Sequence, residues 1–108
     1  MFARVTTVEI DPVRMSIAAA VERFKCELVP EMRSQPGFEG VYVLTTPEGK
    51  GMVVSLWSTK EAVESTNTSG YYDAQLARFA KFATVFRSPP GREQYEVALA
   101  ESPRAAVL

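Results

Sequence analysis

Apolar residues follow two rhythms along this chain, one of period two and one of period 3.6. Residues 2–10, FARVTTVEI, are rich in β-branched types and carry no breaker, which predicts a strand. Asp11 and Pro12 then mark a helix start, since Asp accepts from a first-turn N–H and Pro fits where no donor is needed. Val13, Ile17, Ala20, Val21, Phe24 and Leu28 recur on one helical stripe, with Glu22 and Cys26 on the far side, and Pro30 predicts the end of this helix near Val29. The turn pair Pro36-Gly37 leads into FEGVYVLTT, a second strand. Pro47-Glu48-Gly49-Lys50-Gly51 joins it to GMVVSLWS, predicting an antiparallel hairpin. Ser58 and Glu61 have capping-box spacing and open a short helix through about Ser65, interrupted by Thr68, Ser69 and Gly70. A longer helix is expected from about Tyr71 to Phe86, with Tyr72, Leu76, Phe79, Ala80, Ala83 and Phe86 inward, until Pro89, Pro90 and Gly91 stop it. In EQYEVALA, Tyr95, Val97 and Leu99 alternate as a fourth strand.

The order βαββαβ predicts an α+β, ferredoxin-like fold: a four-stranded antiparallel sheet with the helices on one face. Two helices on one side cover only one face, yet both faces look apolar. Met52, Val54 and Leu56 oppose Val53 and Trp57, and Val41 and Val43 oppose Tyr42 and Leu44. The economical cover is a second copy, so a homodimer through the sheet face is expected. Residues 1–101 read as one domain and 102–108 as a flexible C-terminal tail.

At 108 residues, with 46% hydrophobic and 23% charged, the chain has the composition of an ordinary globular protein with a real core. No apolar run is long enough to span a bilayer and no secretory signal opens the chain, so a cytoplasmic protein with no membrane partner is expected. Cys26 is the only cysteine, which agrees with a reducing compartment. Twelve basic against thirteen acidic residues give a net charge of -1 without a basic cluster, and nucleic acid is not an expected partner. With no histidine and dispersed acidic residues, no metal site is expected. The absence of histidine also excludes a Ser-His-Asp arrangement, and Gly49-Lys50-Gly51 is too short for a phosphate loop.

Gln35-Pro36-Gly37-Phe38 entering the second strand, Trp57 closing the third, Ser58-Thr59-Lys60-Glu61-Ala62 starting the next helix and the closing Tyr95-Glu96-Val97 together resemble the antibiotic biosynthesis monooxygenase family over roughly residues 2–100. The resemblance implies a dimeric α/β barrel with a pocket in each subunit between sheet and helices, suited to a flat aromatic or polycyclic ligand. It further implies an activity such as the oxidation of a phenolic or quinol compound by molecular oxygen without a cofactor. Members that degrade haem use a histidine ligand and a first-strand asparagine, whereas this chain has no histidine and carries Thr6 and Thr7 there, so haem is not expected. The usual base is missing too. A carboxylate, a tyrosine of shifted pKa or an orienting amide would have to replace it.

Four residues are candidates for binding the substrate: Thr6, Trp57, Tyr71 and Tyr72; Trp57 and Asn67 are the catalytic candidates. Trp57 reads as a wedge between strand end and helix, or as a flat ring that stacks on a ligand and donates its N–H to the ligand's edge. Asn67 is the only asparagine and is expected in the break between the helical segments, where it serves either turn chemistry or a ligand carbonyl. One of Tyr71 and Tyr72 should face inward with its hydroxyl near the pocket mouth, the other outward. Arg78 falls off the apolar stripe and Cys26 lacks a basic setting, so both read as surface. Three functions fit this pattern: a cofactor-independent monooxygenase, a non-catalytic binder of a small hydrophobic metabolite, or a dimerisation scaffold whose cleft is filled by Phe24, Phe79 and Phe82.

Overall fold

The computed structural model describes residues 1–86 and 92–101, with Arg92 described by its backbone alone. β1 (Phe2–Glu9) is the central strand, paired antiparallel with β3 (Lys50–Trp57) on one side. β2 (Phe38–Thr45) pairs with the outer side of β3 to complete the predicted hairpin. The other edge of β1 carries two pieces in line: the short β4 (Thr84–Val85) opposite Glu9 and Val8, and β5 (Arg92–Glu96) opposite Thr6 to Phe2. The helices among the described residues lie over one face. They are α1 (Ile17–Glu27), α2 (Val29–Arg33), α3 (Lys60–Thr68) and α4 (Tyr71–Phe79). This is the expected ferredoxin-like α+β arrangement, with β5 in the place of the predicted fourth strand and β4 added.

Alternation along the strands sends Arg4, Thr6, Val8, Val53, Ser55 and Trp57 beneath the helices, where all six are buried. The main apolar cluster joins Val8 and Val53 of the sheet to Phe24, Leu28, Met32 and Phe79 of the helical layer. Phe24 and Phe79 meet at 5.1 Å between ring centroids, and Phe79 and Phe82 at 5.3 Å.

Several boundaries depart from the sequence expectation. Asp11 closes a turn, not a helix start: its Oδ1 accepts from the Val13 N–H and its carbonyl from Arg14 and Met15. Ser16 is the actual cap of α1, accepting from the Ala19 N–H at 3.1 Å, so Val13 falls outside the helix and is 94% exposed. Pro30 opens α2 where it was expected to end a helix, because the first turn of a helix does not need its missing donor. The cap of α3 is Thr59, one residue beyond Ser58, and α3 runs on to Thr68. The long helix expected to reach Phe86 stops at Phe79, since Thr84 and Val85 instead extend the sheet beside β1. The final strand ends at Glu96, leaving Leu99 80% exposed. Pro89, Pro90 and Gly91, expected to stop the helix, and the tail expected at 102–108 lie outside the described residues.

Two glycines set the positions of α4 and of the end of β3. Gly70, at φ 81°, turns the chain sharply between α3 and α4 and so sets Tyr71 and Tyr72 at the start of α4. Gly37, at φ 83°, lets the chain pass so close to α3 that an added Cβ would sit 2.6 Å from that of Ala62. Its carbonyl accepts from the Ser58 N–H at 2.8 Å, locking the end of β3 where Trp57 sits.

Candidate functional site

Arg4 shares the helix-covered face of β1 with Thr6 and Val8, and a charge placed there must be compensated from within the protein. It is 3% exposed. Its guanidinium donates to the Val63 carbonyl at 3.2 Å and to Asn67 Oδ1 at 2.6 Å, and its Cζ stands 3.6 Å from the centroid of the Tyr72 ring. A desolvated cation over an aromatic face contributes on the order of 2 kcal/mol. The Tyr72 hydroxyl is 2.5 Å from Thr6 Oγ1, so the two strand residues hold both ends of one tyrosine. Sheet and α4 are thereby joined through a polar contact inside an apolar layer.

Asn67 lies in the last turn of α3, not in the break beyond it, and is exposed. Its orientation follows from chemistry: a guanidinium has no acceptor, so the amide must turn its oxygen to Arg4. The amide nitrogen is then the end directed elsewhere, and it can donate to a carbonyl or oxyanion in front of it.

Trp57 is 1% exposed and meets Phe38 edge-on, with centroids 5.5 Å apart at 71°. Its N–H donates to Ser55 Oγ at 3.0 Å, which occupies the donor that the sequence pattern offered to a ligand's edge. The ring therefore packs as a wedge whose remaining free surface is apolar.

Both tyrosines face inward, contrary to the expected division. Tyr72 is buried, and Tyr71 is half-buried with its hydroxyl accepting from Gln75 Nε2 at 3.3 Å. Burial raises the Tyr71 pKa above 10.0, and the Gln75 hydrogen bond offsets only part of that, so Tyr71 is a neutral hydroxyl and no base near neutral pH. Gln75 donates to the Leu28 carbonyl at 2.8 Å and accepts from Arg78 at 2.8 Å, which makes Arg78 a brace for this amide. Cys26 is exposed, with its Sγ 3.7 Å from Glu22 Oε1.

These side chains border two spaces. An inner cavity of about 30 Å³ lies between sheet and helices, with Thr6, Trp57, Tyr71 and Tyr72 among its walls. An outer cleft of about 410 Å³ opens at the sheet edge and is lined by Arg4, Asn67, Tyr72, Asp73, Glu93 and Gln94. Arg4 and Tyr72 belong to both walls. Sites for small organic ligands enclose roughly 300–1,000 Å³. The outer cleft has that room and the inner cavity, walled by Phe24, Leu28 and Phe79 beside Trp57, does not. Sequence pattern thus located the inner residues and missed Arg4, Gln75 and Asp73. Period two along β1 was the available signal: it puts Arg4 on the same face as Thr6. Among the described residues, no group of three His, Cys, Asp or Glu could hold a metal, and no helix is long and apolar enough to cross a membrane.

A sequence model described as antibiotic biosynthesis monooxygenase matches residues 1–78. Among solved structures, SnoaB, a cofactor-independent oxygenase from Streptomyces nogalater, is similar in a mutant form at TM-score 0.64 and 10% identity, over 92% of this chain and 94% of that one. A protein of unknown function from Nitrosomonas europaea is similar at TM-score 0.64 and 20% identity, over 94% and 93%. The heme degrader MhuD from Mycobacterium tuberculosis, with two hemes bound in its active site, is similar at 0.62 and 17% identity, over 94% and 100%. At these identities the likeness is one of fold. No curated protein matches the sequence.

Proposed function

The chain belongs to the antibiotic biosynthesis monooxygenase family, and from that premise we propose that it oxidises a phenolic, quinol or polycyclic aromatic compound with molecular oxygen and no added cofactor. The observation that carries this reading is the outer cleft, where a buried cation, a tyrosine and an oriented amide converge on a space of aromatic-ligand size. In such a reaction the substrate must first ionise, because the electron-rich phenolate is the form that passes an electron to oxygen. Arg4 stabilises the oxyanion as it develops, and the amide nitrogen of Asn67 donates to it or to a neighbouring carbonyl. Asp73 and Glu93 line the same cleft, so the phenolic proton has carboxylate acceptors there without histidine. For a substrate with a reacting methylene, the carbon exchanges its two C–H bonds for a carbonyl. One atom of dioxygen becomes the carbonyl oxygen, and the other leaves as water with both hydrogens. All four electrons come from the carbon, and no outside reductant enters.

Tyr72 forms the wall against which the ring lies, Thr6 holds the Tyr72 hydroxyl, and Trp57 and Tyr71 support that wall from behind. The same cleft would also serve a protein that binds an aromatic metabolite without reacting. Oxygen-electrode measurements with anthrone-like and quinol substrates separate the two. Oxygen uptake matched one-to-one by carbonyl or quinone product is expected. Uptake at background, while the same compounds still bind, would leave the non-catalytic reading.

The working unit is a homodimer joined through the sheet face opposite the described helices. On that face Tyr42 is 62% exposed, Leu44 53% and Tyr95 49%, with Met52 and Phe86 also exposed beside the half-buried Val54 and Leu56. Leu44, Met52 and Phe86 also border a largely apolar groove of about 470 Å³. A second copy presents the same surface, which makes the patch its own complement.

A further inference from the structure

The inner cavity is too small for an aromatic ring and has the wrong chemistry for water. Its volume of about 30 Å³ compares with the 150 Å³ or so at which an engineered apolar cavity admits benzene, and with roughly 10–15 Å³ for one water. Most of its wall is hydrocarbon from Phe24, Leu28, Val53, Leu76 and Phe79. The polar groups that reach it have partners within the protein: Thr6 with Tyr72, Ser55 with Trp57, Gln75 with the Leu28 carbonyl, and Arg4 with Val63 and Asn67. Among the described residues no buried side-chain nitrogen or oxygen lacks a hydrogen bond. A water entering this space would give up its own hydrogen bonds for too few in return, so the cavity favours a small apolar guest.

We propose that this cavity is a dioxygen site. An apolar diatomic molecule fits the volume, needs no hydrogen bond and gains dispersion contacts with the hydrocarbon walls. The location fits as well. Arg4 and Tyr72 separate the cavity from the outer cleft, so a gas molecule held inside lies one side chain away from an aromatic anion held outside. No bond forms or breaks in the cavity. The use of the stored oxygen rests on the monooxygenase reading above, whereas its binding does not.

Two measurements on the full chain test this. Under oxygen pressure, the methyl groups of Leu28, Val53 and Leu76 should show faster NMR relaxation from the paramagnetic gas than those of Val13 and Leu99, which are 94% and 80% exposed. Xenon should perturb the same inner methyls. The substitution V53I adds one methylene directed at the cavity and should abolish both effects; L28M, which changes shape at nearly constant volume, should keep them and serves as the control if V53I folds poorly. With an active substrate, V53I should raise KM for oxygen several-fold and leave KM for the aromatic compound in place. Inner methyls that relax no faster than exposed ones would overturn the proposal whatever the activity. Selective relaxation in a protein that turns over no aromatic compound would uphold the gas site and remove the monooxygenase reading instead.

Discussion

Trp57 shows how one hydrogen bond divides two roles that a sequence leaves together. A tryptophan at a strand end can wedge a core or line a site, and here the Ser55 hydroxyl at 3.0 Å takes its donor while Phe38 covers its edge. The substitution Trp57→Phe removes ring volume from a closed environment and leaves Ser55 without its donor. It should lower stability by about 2 kcal/mol, from the cavity and the lost hydrogen bond together. Aromatic ligand affinity in the outer cleft should be unaltered. Urea melts read the first quantity and ligand titration the second; a large affinity loss at unchanged stability would return Trp57 to the binding surface. Arg4 is the converse case. Its residue type suggests solvent, but its parity along β1 places it in the interior, where Val63, Asn67 and Tyr72 receive it.

Among the elements, α3 connects the site to the chain entering β2. Thr59 caps it by accepting from the Ala62 N–H at 3.1 Å, and its last turn carries Asn67 to Arg4. Thr59→Ala leaves one first-turn donor without that partner and should destabilise the protein by about 1 kcal/mol. Ser58→Ala, one residue before the cap, should cost clearly less, and thermal melts of the pair will show whether the cap lies where the hydrogen bond puts it. The helix expected through Phe86 shows the limit of periodicity. Ala80, Ala83 and Phe86 continue the helical spacing, yet the β-branched pair Thr84-Val85 gains more by pairing with Glu9 and Val8 at an open strand edge. An edge hydrogen bond is a long-range term, and no local window contains it.

For the whole molecule, the decisive feature is a sheet whose helices, among the described residues, all lie on one face. In the proposed dimer, burial of the Tyr42, Leu44, Met52 and Tyr95 band against its copy is the driving force, since apolar area removed from water contributes roughly 25 cal/mol per Å². Leu44→Glu places like charges across the two-fold contact and should shift the protein from dimer to monomer at micromolar concentration, as read by sedimentation velocity, with the helix-side core intact by circular dichroism. A wild-type chain that sediments as a well-folded monomer would sink the dimer.

From the sequence alone came the element order, the antiparallel hairpin, the apolar character of both sheet faces and the inward-facing Thr6, Trp57 and Tyr72. All of these depend on spacing within ten residues or so, where hydrophobic period and turn chemistry act. Tertiary structure decided the rest: the end of α4, the partners that permit Arg4 to be buried, and the separation of a small apolar pocket of about 30 Å³ between sheet and helices from a cleft of about 410 Å³ at the sheet edge. Those outcomes depend on distances between residues some sixty positions apart, such as Arg4 to Asn67 and Thr6 to Tyr72, which are set only when the layers close on one another.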